Sequence, residues 1–183
     1  MIIGIVAADN NWAIGKKNGL LYTLKKDMQH FKETTTGHFV ICGYNTLLSF
    51  PKSRALKNRT TICLAPEGIE RDDCIVVHSL EECLKLVRLI SDTFKDTDFY
   101  VIGGASVYRS FLPYYDKVIV TKVDASDPEA EVFFPNLDKD PNYSLETSTE
   151  RIEDENYGIY FVTYYRKNSP FYNLRFTEVD SED

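Results

Sequence analysis

The sequence predicts an α/β fold: a single domain on a mostly parallel central mixed sheet of about eight strands, flanked by about four helices, with a C-terminal antiparallel hairpin. Three observations carry this expectation. Short apolar runs rich in β-branched residues alternate with helix signals as far as residue 123. Several of these runs are apolar throughout, as strands covered on both faces must be. After about residue 125 the alternation stops, and two long strand-like stretches follow one another directly.

In chain order, strands are expected at "IIGIVAA" (2–8), "FVIC" (39–42), "TTICLA" (60–65), "CIVV" (74–77), "FYVI" (99–102) and "KVIVTKV" (117–123). Helices are expected over 24–35, from about 45, over 79–90 and over 105–112. Ser79 and Glu82 have the spacing of a capping box at the third helix. "YSLETSTER" (143–151) and "YGIYFVTYYRK" (157–167) read as the hairpin, joined by the acidic loop "IEDEN". The domain is expected to span 1–167, with 168–183 an acidic, loose C-terminal tail.

A chain of 183 residues can bury a sizeable core, and 43% hydrophobic with 13% aromatic residues argues against disorder. The net charge of −7 argues against a general nucleic-acid surface. No apolar run reaches the roughly 20 residues that span a bilayer. "MIIGIVAADN" lacks the basic start and long apolar region of a signal peptide. A monomeric cytoplasmic protein, with no nucleic-acid or membrane partner, is the expectation. Cys42, Cys63, Cys74 and Cys83 have no CxxC spacing and read as structural thiols rather than a catalytic one. The three histidines form no ligand cluster, so no metal is expected.

The first helix raises a question. At 100° per residue, Leu24, Met28 and Phe31 share a stripe, with Asp27 at its edge and Lys25, Lys26, Gln29, His30 and Glu33 opposite. A carboxylate turned toward apolar neighbours needs a partner. On position alone, the better reading of Asp27 is a helix-edge acid paired with Lys or Arg.

Two glycine turns raise a second question. "VICGYNT" (40–46) and "YVIGGASVY" (100–108) each run strand, glycine, helix start. Ligands of open α/β sheets bind where strands end and helices begin, and helix starts favour anions. Two such turns suit a diphosphate, although each also reads as a plain tight turn, and neither is a GxGxxG or P-loop. The stretch "PKSRALKNR" (51–59) holds four basic residues and no acid, which suits either a solvated loop or a guide for an anionic substrate.

Together with these features, "IVAAD", "AIGKKNGL", "LKKDMQHFKETT", "VTKVDA" and "FFP" fall in the order and spacing of one family. Over roughly residues 1 to 166 the chain resembles dihydrofolate reductase. The resemblance implies NADPH-dependent reduction of 7,8-dihydrofolate to tetrahydrofolate, in one-carbon metabolism, and binding of antifolates such as methotrexate or trimethoprim. It makes Asp27 the active-site acid, hydrogen-bonded by Thr121, and places Tyr22 where a side chain can bind a water beside the pterin. It assigns Ile5, Ala7, Met28, Phe31, Phe50, Leu56 and Ile102 to the lining of the pterin and aminobenzoyl rings. Arg59 would pair with the α-carboxylate of the folate glutamate, and Tyr108 would lie beside pterin and nicotinamide. Ala7, Ile14 and Gly15 would approach the nicotinamide, with Leu20 in the loop that closes over it. Gly43, Tyr44, Asn45, Thr46, Leu64, Ala65, His78, Gly103, Gly104, Ala105, Ser106 and Val107 would surround the rest of the cofactor, with Gly103-Gly104 similar to the family's cis pair.

Three positions depart from the family pattern. Tyr44 stands where an arginine or lysine usually meets the 2′-phosphate of NADPH. Ala65 and Pro66 replace serine-like positions, leaving His78 as the polar candidate there, so NADH remains open as an alternative cofactor. Leu21-Tyr22 stands where bacterial relatives often carry Pro-Trp. A riboflavin-synthesis-type reductase of the same fold, which would not need Asp27, and a non-catalytic pterin- or nucleotide-binding module are the competing readings.

Overall fold

A computed structural model describes residues 1–16 and 21–174. Ten segments build its frame: β1 (Ile2–Ala8), β2 (Ala13–Gly15), α1 (Lys25–Thr35), β3 (Phe39–Gly43), α2 (Tyr44–Ser49), β4 (Thr60–Leu64), β5 (Ile75–Val77), α3 (Leu80–Thr93), β6 (Phe99–Val101) and α4 (Ala105–Ser110). β7 (Lys117–Val123), β8 (Val132–Phe133), β9 (Tyr143–Ser148), β10 (Ile152–Asp154) and β11 (Tyr157–Arg166) follow. The main sheet runs β10-β11-β7-β1-β6-β3-β4-β5, parallel from β7 to β5 and antiparallel at β11. The alternation of strand and helix thus produces the expected parallel sheet.

The edge beyond β11 differs from a simple hairpin. β9 pairs with one end of β11, through Val162 to Arg166, and β10 with the other, through Tyr157 to Ile159. The stretch expected as an acidic loop therefore contains a strand, and the turn shrinks to Glu155 and Asn156, with Glu155 at φ 54°. A second small sheet, β2 with β8, was not anticipated. α3 begins at its expected cap: the Ser79 hydroxyl accepts from the Glu82 amide, while the Glu82 carboxylate turns back to the His78 amide rather than to that of Ser79.

The core lies on both faces of the parallel strands. Val40, Ile41, Cys42, Ile62, Cys63, Phe99, Val101, Val118 and Val120 are completely buried. Gly4 on β1 admits the ring of Tyr115: a Cβ there would stand 3.1 Å from Tyr115 Cε1 and 3.2 Å from Val118 Cγ1. All four cysteines are free thiols; Cys42, Cys63 and Cys83 are buried and Cys74 is half-buried. Asp116, also buried, ties three segments together. It accepts from the Ile2 amide at 2.8 Å and from the Ser169 hydroxyl at 2.6 Å, while its own carbonyl accepts from the Arg166 amide at 3.2 Å. The chain is thus anchored at Ser169, beyond the end of β11. Among the described residues, no helix is long and apolar enough to cross a membrane.

Candidate active site

The register of the central strands assembles the first half of the site. Ala7 on β1 and Phe161 on β11 flank Thr121 on β7. The Thr121 hydroxyl, itself 2% exposed, donates to Asp27 Oδ1 at 2.6 Å. That is a partner for the helix-edge acid. Among the described residues, Asp27 Oδ2 accepts no hydrogen bond, so one carboxyl oxygen remains open. Burial pushes the Asp27 pKa up; the Thr121 hydrogen bond and His30 pull against it, and the charge of Asp154 adds to the rise.

The first helix does not bury the stripe that its periodicity suggests. Met28 is 61% exposed, whereas His30, expected on the solvent side, is half-buried and stacks on Phe161 with ring centroids 4.1 Å apart. β11 covers that flank of the helix, and burial lowers the His30 pKa. Leu24 precedes the helix in extended conformation and packs with Val123 and Ile159. Phe31 and Ile102 pack around Ile3, Ile5, Val40 and Tyr100, and Phe50 and Ile102 against the Cys42–Leu47 cluster. Leu56 is half-buried in the following loop. Arg59, also half-buried, reaches back to α1, donating to Thr35 Oγ1 at 3.3 Å and to the Lys57 carbonyl at 2.9 Å.

The two glycine turns meet. The Gly43 amide donates to the Gly103 carbonyl at 2.9 Å. α2 and α4 begin immediately after Gly43 and Gly104, and neither start is capped by a side chain. Their first-turn amides have no partner within their own helices. The turns leave little room for side chains: a Cβ at Gly43 would stand 3.1 Å from Val107 Cγ2, and one at Gly104 3.3 Å from Thr46 Oγ1. Gly103 has φ +121°, a left-handed backbone that favours glycine, and the Gly103-Gly104 bond is cis. This cradle, which a Cβ would fill, fits a diphosphate whose oxygens need close backbone approach.

Tyr108 links the two halves. It lies on the helix that starts at the glycine pair, is buried, and donates to the Ile5 carbonyl at 2.8 Å. Burial, and secondarily the Asp27 charge, push its phenol pKa up. Ser106 is exposed, Ala105 and Thr46 are half-buried, and Asn45 is exposed.

At the far end of the cradle, Leu64 pairs with Val77 in register, and Ala65 and Pro66 turn their carbonyls to His78 Nδ1, at 3.0 and 3.1 Å. These contacts, the Ala65 carbonyl foremost, raise the His78 pKa. Tyr44, half-buried at the first position of α2, provides no cation there. Ile14 and Gly15 are half-buried on β2, held by pairing with Val132 and by the Glu131 amide. Leu20 lies outside the described residues.

Three residues escaped the sequence reading. The Tyr22 hydroxyl donates to Asp9 Oδ2 at 3.0 Å, so toward a water it offers only its lone pairs. Asp9 is 3% exposed and also accepts from the Asn11 and Ala13 amides. Asp154, 1% exposed, accepts from the Asp27 amide at 3.1 Å. His30 is the third. Nothing in the local pattern signalled either acid, although an aspartate inside a strand-rich stretch is itself unusual.

Comparison with known proteins shows the family. Residues 1–166 match the family model described as dihydrofolate reductase. The chain is 36% identical over 173 residues to the dihydrofolate reductase of Bacillus subtilis strain 168, covering 92% of this chain and 96% of that one. It is 35% identical over 167 residues to that of Staphylococcus haemolyticus, covering 88% and 93%. Among solved structures it resembles dihydrofolate reductase from Enterococcus faecalis complexed with NADP(H) and RAB-propyl, with a TM-score of 0.79, 28% identity, and coverage of 92% and 97%. The chain belongs to the dihydrofolate reductase family.

Proposed function

We propose that this protein reduces 7,8-dihydrofolate to 5,6,7,8-tetrahydrofolate, with NADPH as the reductant, acting as a monomer in the cytoplasm. The observation that carries the reading is a half-buried carboxyl, Asp27, whose Oδ1 accepts from Thr121, in a fold whose two glycine turns meet at the starts of α2 and α4. Membership of the family and the NADP(H) complex of the Enterococcus faecalis relative support it.

NADPH, when bound, supplies the hydride that reaches C6. The chain's own residues do the rest. The open oxygen of Asp27 engages the 2-amino and N3 edge of the pterin, and Thr121 fixes the carboxyl against rotation. Its raised pKa keeps a proton available nearer neutrality, favouring protonation at N5. Ile5, Ala7, Met28, Phe31, Phe50, Leu56 and Ile102 form an apolar wall that excludes water and aligns the rings. Tyr22 holds a water through its acceptor oxygen. Arg59 binds the glutamate α-carboxylate, its guanidinium turned by Thr35 and the Lys57 carbonyl.

On the reductant's side, Ala7, Ile14, Gly15 and Tyr108 border the nicotinamide. Gly43, Asn45, Thr46, Gly103, Gly104, Ala105, Ser106 and Val107 receive the diphosphate. Tyr44, Leu64, Ala65 and His78 border the adenosine end. The same surfaces bind antifolates such as methotrexate and trimethoprim.

The experiment is a mixture of protein, NADPH and dihydrofolate, followed by the absorbance of the reduced nicotinamide, and repeated with NADH. Turnover that Asp27→Asn abolishes without unfolding the chain supports the proposal. A well-folded protein that leaves the absorbance flat refutes it.

A further inference from the structure

The hairpin formed by β10 and β11 carries a carboxylate that the reaction, as proposed, does not use. Asp154 is 1% exposed, and burying an aspartate is costly unless its charge is compensated. Its compensation comes from α1. That helix begins after Leu24, an apolar residue that cannot cap it, and the first helical hydrogen bond runs from the Met28 amide to the Leu24 carbonyl. The Asp27 amide is therefore one of the orphan donors of the first turn. Asp154 Oδ2 takes it at 3.1 Å and sits at the positive end of the helix.

The rest of the hairpin tip grips the same turn. Lys26 Nζ donates to the Glu153 carbonyl at 2.6 Å, and Lys25 Nζ lies 3.6 Å from Glu155 Oε1. Below them Tyr22 meets Tyr157 edge-on, with centroids 4.9 Å apart, and Leu24 packs on Ile159. Asp27 is thus held twice: its side chain by Thr121 of β7, its main chain by Asp154 of β10.

Resting on the reading of Asp27 as the acid of the reaction, we propose that Asp154 is a positioning residue for Asp27: it caps α1 from the hairpin, fixes where that carboxyl stands, and places a second negative charge beside it. The groups facing Asp27 differ in sign. His30 on α1 and Thr121 on β7 favour its ionised form; Tyr108 on α4 is neutral and spends its proton on the Ile5 carbonyl. Among these neighbours Asp154 alone adds to the effect of burial in favouring the protonated form. Asp154 would set Asp27 apart from an ordinary paired carboxylate.

Asp154→Asn keeps an oxygen for the Asp27 amide and removes only the charge. The expected result is a titration of Asp27 displaced to lower pH, read by NMR on the ¹³C-labelled carboxyl of the protein without ligand. In single-turnover hydride transfer with NADPH and dihydrofolate, the alkaline limb should move the same way, with a several-fold lower rate there and an unchanged acidic plateau. Asp154→Ser, which retains a hydroxyl acceptor, serves as a second neutral variant and should shift the titration in the same direction.

A purely structural cap would lower stability in these variants and leave the Asp27 titration in place; that result, or a shift to higher pH, overturns the proposal. The NMR reading needs no turnover. If the wild-type protein fails to reduce dihydrofolate while the titration still moves, the proposed function falls and the influence of Asp154 on Asp27 stands.

Discussion

Thr121→Val exchanges the hydroxyl that faces Asp27 for a methyl group of similar size at a position only 2% exposed. The loss is one short hydrogen bond, at 2.6 Å, to a carboxyl with no second donor among the described residues. Such a bond contributes about 1.5–3 kcal/mol when the acceptor is charged and about 0.5–1.5 kcal/mol when it is neutral. The penalty therefore depends on the state of Asp27. Its folded pKa is already raised, so its ionisation costs stability as pH climbs from the unfolded value toward the folded one. The valine removes a group that favours the anion, raises that pKa further and widens the interval of loss. The destabilisation should grow with pH. Urea unfolding at about pH 8 should give the larger penalty, equivalent to a fall of about 3–12 °C in Tm for a chain of this size, and at about pH 5 the smaller. A penalty that is equal at both, or larger in acid, would mean that the hydroxyl does not serve the ionised carboxyl.

Three other perturbations have defined outcomes. Gly103→Ala places a Cβ on a backbone at φ +121°, 3.4 Å from Tyr108 Cε2; it should cost about 1–3 kcal/mol by thermal unfolding and weaken NADPH binding measured by fluorescence titration. The Arg71 guanidinium grips Asp73 through two bonds of 2.9 Å and holds its carboxyl well below the usual range, so this pair's contribution is present above about pH 4 and is lost as pH falls further; Asp73→Asn should flatten the acid side of the stability curve seen by circular dichroism. Tyr44→Arg adds a cation at the first position of α2 and should raise the NADPH-to-NADH ratio of kcat/KM by about tenfold, corresponding to about 1.4 kcal/mol; an unchanged ratio would place the 2′-phosphate elsewhere.

The parallel strands were legible because burial on both faces writes itself as unbroken apolar runs, and their helices because each starts or turns at a recognisable residue. What escaped is short or remote. β2, β8 and β10 have two or three residues each, too few for any periodicity to emerge, and β10 is hidden further by its acidic composition. Those acids are where they are for reasons 127 residues away in sequence, in the first turn of α1. The same distance explains Met28 and His30. An eleven-residue helix declares that it has two flanks, but which one is covered is decided by β11, folded from the opposite end of the chain. The candidate site divides likewise: periodicity marked Asp27 and the strand–glycine–helix pattern marked the two turns, resemblance in motif added Thr121, whereas Asp9 and Asp154 emerge only once tertiary structure brings them to Tyr22 and Asp27.

The buckle at Asp116 bears on how this protein should be handled. A carboxylate that accepts from both the opening strand and Ser169 makes two segments far apart in sequence neighbours. Shortening the polypeptide ahead of Ser169 would strip a hydroxyl from a buried carboxyl and loosen the seam where β1 begins. Affinity handles or fluorescent fusions belong downstream of that serine, where they leave the clasp shut.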